Sequence, residues 1–153
     1  VVHEALAAEP GDLVNFDDVA DRIIQLIRDL APAYAAGESG PSIRRTGSCG
    51  MLPTDLAMPM AMAAAEALQN AVEHAAAEHI QLDLSGGVEP TSEGNLVATA
   101  RIVDDGLGLP GEFTPGLGLQ IVHSLVEEQC RGRVTVANGA QGGVVVALEI
   151  PLP

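Results

Sequence analysis

The stretch that most constrains the fold of this chain is residues 104–122, DDGLGLPGEFTPGLGLQIV. An apolar run that predicts a strand at 96–103 leads into it, and a helical pattern at 118–129 follows. An acid ends the strand, and two glycine pairs flank a short loop. Glycines let a backbone approach a ligand closely, and the amides of a helix N-terminus favour anions. Either pair alone fits an ordinary turn, but together they indicate a nucleotide pocket.

The length of 153 residues fits one domain with a substantial core. Hydrophobic residues make up 47% but aromatic residues only 2%, so the core should be aliphatic. No run reaches the ~18 apolar residues of a membrane span, and the N-terminus lacks a basic-then-apolar signal. We therefore expect a cytoplasmic domain with no membrane partner. Cys49 and Cys130 fit no metal motif, so free thiols are expected rather than a disulfide.

The formal net charge of −14 argues against nucleic acid or an anionic membrane as a direct partner. The chain has no lysine, and all seven of its basic residues are arginines. This excludes a P-loop, whose motif places a lysine on the phosphates. A bound nucleotide must therefore be held by backbone amides and a metal ion, with or without an arginine.

The predicted elements indicate an α+β fold. Helices are predicted at 17–30, 59–77 and 118–129, and strands at 43–48, 80–84, 96–103, 132–137 and 144–150. Residues 85–94 should form a polar hairpin-like connection, and the last strand, apolar on both faces, should be central. Strands joined by hairpins and interleaved with helices predict a mixed sheet covered by helices on one face.

Local signals refine the helices of this fold. Asn15 or Asp17 should cap the first helix. Thr54 or Asp55 should cap the second, and Pro59 suits its first turn. The apolar stripe of the first helix should comprise Val19, Ile23, Leu26, Ile27 and Leu30. Residues 1–8 resemble the end of a further helix, so the chain is expected to be part of a longer protein.

One face of the second helix carries polar residues that could bind a metal ion or act in catalysis. Glu66, Asn70 and His74 are spaced i, i+4, i+8 on a helix that is otherwise rich in Ala, Leu, Met and Val. Such polar groups are costly to bury unless they are used. Asn70 offers an oxygen suited to Mg²⁺, and Glu66 could act on a nucleophile beside that metal. The alternative is that this face is simply exposed to solvent.

Together these motifs resemble the GHKL ATPase superfamily, which includes gyrase, Hsp90, MutL and the histidine kinases. The segment from Glu66 to His74 resembles its N box, and Asp104-Asp-Gly106-Leu-Gly108 its first glycine box. Gly116-Leu-Gly118-Leu-Gln-Ile-Val resembles the second glycine box, and Gly142-Gly143 the final glycine element. The resemblance covers residues 43–151 and implies a Bergerat-type, two-layer α/β sandwich.

The chain is too short for the gyrase, Hsp90 or MutL arrangements. It resembles the catalytic and ATP-binding domain of a sensor histidine kinase, of the HWE-like, cytosolic, actinobacterial type that signals to an antitermination regulator. Residues 1–16 would then be the tail of dimerisation helices and a linker, and residues 17–153 the catalytic domain.

The resemblance also implies roles for individual residues. Asp104 would accept a hydrogen bond from the adenine amino group, and Gly106 and Gly108 would let the backbone pack against base and sugar. Asn70 would hold Mg²⁺, and Glu66 would be the general base or polarising acid. His74 is a possible phosphate contact. The phosphates would lie against the amides of Gly116, Leu117, Gly118 and Leu119.

The chain departs from the pattern at three points. Glu73 stands where many kinases carry a basic residue, and Val144 where a threonine often helps to bind adenine. Residues 109–115 form a very short lid. None of the four histidines lies in a phosphoacceptor context, so the chain alone should bind ATP and Mg²⁺ without autophosphorylating.

The expected partners are the protein's own dimerisation and phosphoacceptor domain and a response regulator, with an RNA-binding antitermination regulator as one option. Two alternatives stay open at this point. One is an anti-sigma factor of the serine kinase type, and the other is a degenerate nucleotide-binding module.

Overall fold

The computed structural model of the chain describes residues 12–35, 40–74, 76–90, 96–110, 116–140 and 142–153. The predicted helix at 1–8 lies outside them. The strands are β1 (Leu13–Asn15), β2 (Ser42–Gly47), β3 (Met51–Pro53), β4 (His79–Pro90), β5 (Leu96–Asp104), β6 (Arg133–Asn138) and β7 (Val144–Pro151). The helices are α1 (Phe16–Leu30), α2 (Thr54–His74) and α3 (Leu117–His123), and α3 continues as a π-helical segment, Ser124–Gln129.

Five strands form one mixed sheet in the order β2-β4-β5-β7-β6. The β2–β4 pair is parallel, and the other three pairs are antiparallel. β1 and β3 form a separate two-stranded antiparallel sheet. The predicted mixed sheet is therefore confirmed, with the 43–48 strand at one edge and the final strand between two neighbours.

The core lies between one face of this sheet and the helices. Side chains alternate along each strand, so every second residue faces α1, α2 and the π-helical segment. The fully or nearly buried members of that face include Ile80, Leu82, Leu84, Ala98, Ala100, Ile102, Leu148 and Ile150. Burial of each large aliphatic side chain contributes roughly 1.5–3 kcal/mol, and the core is aliphatic as predicted.

The first helix begins as predicted but has a different apolar stripe. Asn15 is the N-cap, and its Oδ1 accepts a hydrogen bond from the amide of Asp17 at 3.0 Å. The buried residues are Phe16, Val19, Ala20, Ile23, Ile24 and Ile27. The expectation for Leu30 is wrong, since it is 76% exposed. It is the last residue of the helix and projects beyond the surface against which α1 packs.

The second helix starts where the predicted cap, Thr54 or Asp55, indicated, but Pro59 lies further along it than expected. It begins at Thr54, whose amide and hydroxyl both donate to the carbonyl of Asp12 at 2.9 Å. Pro59 is therefore buried in the second turn rather than in the first, where its missing N–H would have cost nothing. The helix ends at His74 rather than at residue 77, and Ala76 adopts a left-handed φ of 52° that is incompatible with continuation.

The strand predicted at 80–84 also extends further, to Pro90. Gly86 and Gly87 have φ of 82° and 85°, and the pairing with β5 shifts register between Gly86 and Pro90. A Cβ on Gly86 would lie 1.9 Å from the carbonyl oxygen of Val97. Glycine thus allows a bulge that keeps the two strands paired, where a polar connection was expected.

Within the part of the chain that the structure describes, no helix has the length and apolar character that crossing a membrane requires. Both cysteines are free, as expected, and the structure shows that both are buried. Burial raises the pKa of Cys49 to about 12 and that of Cys130 to about 11. Because the thiolate is the reactive form, both groups should be inert in the folded protein.

We therefore expect neither cysteine to react with iodoacetamide in the native protein at pH 8, and both to react in denaturant. Intact-mass spectrometry would measure the number of adducts over time. Rapid native labelling of either thiol would contradict the burial of Cys49 and Cys130 in the core.

Candidate functional site

A cavity of about 370 Å³ lies between α2, the start of α3 and the ends of β5, β6 and β7. Eight of the predicted binding residues line it: Asn70, His74, Asp104, Gly108, Gly116, Leu117, Gly118 and Leu119. Apolar side chains complete the wall, among them Ile102, Val136 and Val146. The motifs singled out in the sequence therefore converge on one concave surface, the usual form of a small-molecule site.

Asp104 forms the polar point at the sheet end of this cavity. It is the last residue of β5 and is only 6% exposed. Its Oδ1 accepts hydrogen bonds from the amides of Gly106 at 2.9 Å and Val144 at 3.2 Å. Its Oδ2 has no partner among the described residues, so the carboxylate is fixed by one oxygen and can accept from a ligand with the other.

Two residues near Asp104 have positions that the motifs did not indicate. Gly106 does not line the cavity, and its amide instead supports the Asp104 carboxylate. Val144 was noted for a missing hydroxyl, yet its backbone amide bonds directly to that carboxylate. A backbone donor depends on strand pairing and not on residue type, so nothing in the side chain of Val144 signals this contact.

The neighbouring acid, Asp105, makes structural hydrogen bonds and does not line the cavity. Its Oδ1 accepts from the amides of Glu78 and His79, both at 2.9 Å, and its Oδ2 lies 2.8 Å from Nδ1 of His79. The hydrogen bond from the His79 backbone, followed by the one from its side chain, holds the pKa of Asp105 below its usual range. Asp105 ties the start of β4 to the end of β5, while Asp104 faces the cavity.

The final glycine element is required for Asp104 to lie where it does. Gly143 has φ of 71°, and a Cβ there would stand 1.8 Å from the Asp104 carbonyl oxygen. Gly108, with φ of 80°, lies in the segment after β5, and a Cβ there would stand 3.5 Å from the carbonyl oxygen of Gly143. Side chains at these positions would be strained by the left-handed backbone, and at Gly143 also by a backbone clash.

At the other end of the cavity, the second glycine box packs against the polar face of α2. A Cβ on Gly118 would lie 2.5 Å from Oε1 of Glu66 and 3.1 Å from both Nδ2 and Oδ1 of Asn70. The missing side chain therefore leaves space for these two groups beside the first turn of α3. Glu66 is half-buried and does not itself line the cavity.

The first turn of α3 supplies backbone donors to this end. Gly116 is the N-cap and, being a glycine, has no side chain that could cap the helix. The first amides of a helix have no intrahelical acceptor and carry partial positive charge. Leu117, Gly118 and Leu119 carry such amides and line the cavity, so this wall is suited to an anion despite the acidic chain.

The last two residues of α2 are Glu73 and His74. His74 lines the cavity with a 74% exposed side chain, and its Nε2 lies 3.6 Å from Oε2 of Glu73. Glu73 is not among the lining residues. The acid that departs from the motif is therefore beside the cavity rather than in it.

The donor set is compatible with a Mg²⁺-nucleotide but not with a protein-only metal site. Among the described residues, no three His, Cys, Asp or Glu side chains cluster so as to hold a metal. Mg²⁺ is commonly held by one or two protein oxygens together with substrate phosphates. Asn70, beside the α3 amides, offers such an oxygen at the anion-compatible end.

This cavity, formed by a helix face and glycine turns on a mixed sheet, defines an ATPase domain of the GHKL type. Residues 56–153 match the family of histidine kinase-, DNA gyrase B- and HSP90-like ATPases. The chain belongs to this family.

Its relatives are sensor histidine kinases. The chain is 35% identical over 161 residues to the sensor histidine kinase PdtaS of Mycobacterium tuberculosis and 34% identical over 157 residues to PdtaS of Mycolicibacterium smegmatis. Each alignment covers 99% of this chain and 30% of the relative. The chain thus spans about a third of the length of these relatives.

Solved structures show the same fold. The histidine kinase domain of the Erythrobacter litoralis EL346 blue-light activated kinase aligns with a TM-score of 0.76 at 22% identity, covering 99% of this chain and 70% of that one. The ATP-binding domain of PrrB from Mycobacterium tuberculosis aligns with a TM-score of 0.68 at 22% identity, covering 95% and 99%. The predicted Bergerat-type architecture is confirmed.

Gly143, in the β6–β7 hairpin, and Gly116, at the start of α3, should differ sharply in their tolerance of a side chain. We expect Gly143→Ala to lower the free energy of unfolding by on the order of 3 kcal/mol, because the new methyl group meets a backbone oxygen at a left-handed φ. A Cβ on Gly116 meets nothing within 4 Å, so Gly116→Ala is the matched control and should change stability by less than about 0.5 kcal/mol. Urea denaturation would measure both, and equal effects would contradict the described hairpin.

Proposed function

We propose that this chain is the catalytic domain of a cytoplasmic sensor histidine kinase, which binds ATP with Mg²⁺ and transfers the γ-phosphate to a histidine on another domain. The observation that carries the proposal is the joining of Asp104, Asn70 and the α3 amides in one cavity. A hydrogen-bond acceptor at one end and anion-compatible amides at the other match the two ends of ATP.

Asp104 recognises the base in this proposal. Its Oδ1 is occupied by the amides of Gly106 and Val144, which leaves Oδ2 to accept from the exocyclic amino group of adenine. A guanine base presents a carbonyl oxygen at the corresponding position and would face the carboxylate with a repulsive pair of acceptors. Gly108 gives the backbone room to lie against the base and sugar.

Asn70 and the α3 amides hold the phosphate end. Asn70 provides an oxygen for the metal, while Gly116 to Leu119 direct backbone amides at the phosphates. Mg²⁺, when bound, supplies the positive charge that lets a chain of net charge −14 accept a polyanion. His74 stands at the same end and serves as a further phosphate contact.

Glu66 is placed to act on the attacking group. It lies one helical turn before Asn70, and its Oε1 is close to Gly118 at the start of α3. From there it serves as the general base or polarising acid that takes the proton from the incoming nucleophile. Glu73 lies outside the lining of the cavity. Solvent therefore screens the repulsion between its carboxylate and the phosphates.

The proposed partners follow from the same reaction. A dimerisation and phosphoacceptor domain presents the histidine, and a response regulator, here of the RNA-binding antitermination type, then receives the phosphoryl group. In this proposal residues 1–16 belong to the tail of the dimerisation helices and the linker, although Leu13–Asn15 pairs with β3, and residues 17–153 are the catalytic domain. The matched relatives are named sensor histidine kinases, so neither an anti-sigma factor nor a degenerate module is favoured.

Nucleotide binding tests the site directly. We expect Asn70→Ala to remove most of the Mg²⁺-dependent part of the ATP affinity, with Gln69→Ala, exposed on the same helix, as the control. Asp104→Asn should weaken ATP binding about 10- to 100-fold and reduce the preference for ATP over GTP, since a charge-assisted hydrogen bond contributes about 1.5–3 kcal/mol. Glu149→Gln, exposed on β7, removes the same charge away from the cavity.

Isothermal titration calorimetry with ATP and GTP, with and without Mg²⁺, would measure these effects. Unchanged binding in both Asn70→Ala and Asp104→Asn would place the nucleotide elsewhere. No binding of ATP to the wild-type chain at millimolar concentration would refute the proposed function.

Phosphotransfer is tested by supplying the missing domain. The chain alone should form no phosphohistidine with radiolabelled ATP, whereas addition of the protein's own dimerisation and phosphoacceptor domain should produce acid-labile label on that domain. Label on a serine of a partner protein would instead support an anti-sigma-type kinase.

A further inference from the structure

Asn138 is the last residue of β6, where the chain turns toward β7. In the sequence it fits an ordinary Asn-Gly hairpin turn, and no motif assigns it a further role. In the structure its Oδ1 accepts a hydrogen bond from the amide of Leu109 at 2.7 Å. This bond joins the hairpin to the residue that follows the first glycine box, 29 positions away in the chain.

The contact extends to the glycine box itself. A Cβ on Gly108 would lie 2.9 Å from Oδ1 of Asn138, so the side chain of Asn138 packs directly against this glycine. Gly108 has a left-handed φ of 80°, and the next residue, Leu109, supplies the amide from which Asn138 accepts. Gly108 and Leu109 both line the cavity, whereas Asn138 does not.

The hairpin that carries Asn138 also holds Asp104. Asn138 is paired in register with Val144, whose amide donates to the Asp104 carboxylate. The amide of Gly139 donates to the carbonyl of Gly143 at 3.0 Å and closes the turn between them. The β6–β7 hairpin therefore holds both the Asp104 carboxylate at the end of β5 and the backbone of Leu109.

From this geometry we propose that Asn138 is a positioning residue for the nucleotide site. It acts through Gly108 and Leu109, holding the backbone that forms the base side of the cavity at a fixed distance from Asp104. The inference rests on the proposed function, because the consequence of the contact is nucleotide affinity. The feature required of residue 138 is an acceptor oxygen, not the amide group as a whole.

The test compares Asn138→Ala, which removes the acceptor, with Asn138→Asp, which keeps it. Thr135→Ala is the matched control, since Thr135 is exposed on the same strand and does not line the cavity. We expect Asn138→Ala to weaken binding of both ADP and ATP about fivefold, the effect of losing one hydrogen bond. Asn138→Asp should stay within about twofold of the wild type, and Thr135→Ala should be unchanged.

Amide hydrogen exchange of Leu109, measured by NMR on the free protein, gives a readout that a general loss of stability would not reproduce. Exchange at Leu109 should accelerate in Asn138→Ala and recover in Asn138→Asp, while core amides of β5 and β7 keep their rates. Faster exchange at Leu109 together with weaker nucleotide binding supports the proposal.

If the wild-type chain binds nucleotide and Asn138→Ala binds it with the same affinity, the positioning role is overturned and the proposed function is left intact. Equal weakening in Asn138→Ala and Asn138→Asp would also overturn it, because the acceptor oxygen would then not matter. A wild-type chain that binds no nucleotide would overturn both proposals, and would be recognised before any variant is compared.

Discussion

The antiparallel pairing of β5 with β7 determines the geometry of the cavity at the end where Asp104 lies. These two strands lie side by side through seven residue pairs, from Val97 with Pro151 to Val103 with Val145. The next residue on each strand then brings the Asp104 carboxylate to the Val144 amide. The pairing leaves no space for a side chain at Gly143, and it places the β6–β7 hairpin against the first glycine box. The base end of the cavity is a consequence of strand register.

A second constraint acts at the phosphate end, where α3 packs closely against α2. Gly118 lets the start of α3 approach Glu66 and Asn70, so helix-terminal amides and two polar side chains share one small volume. In the proposed function, this arrangement compensates for the absence of lysine and the net charge of −14. Partial charges fixed by backbone geometry replace the mobile side-chain cations that many phosphate sites use.

Much of the fold could be predicted because it depends on local periodicity. The strand at 96–103, the cap at Asn15 and the central final strand all follow from the alternation of apolar residues or from side chains near their own backbone. The errors lie where distant residues intervene. The carbonyl of Asp12 fixes the start of α2 at Thr54, which puts Pro59 in the second turn, and the neighbouring β5 keeps β4 paired beyond Gly86 through a bulge. Neither effect leaves a pattern within a short window of sequence.

The sequence by itself determined the family and which residue types would line the cavity, since the N box and the two glycine pairs depend on particular residues at fixed spacing. Only the tertiary structure decided which groups support them. In the folded chain, the backbone amides of Gly106 and Val144 donate to the Asp104 carboxylate, and the side chain of Asn138 accepts from the amide of Leu109. Every residue except proline carries such an amide, so these contacts are set by which segments become neighbours and not by residue identity.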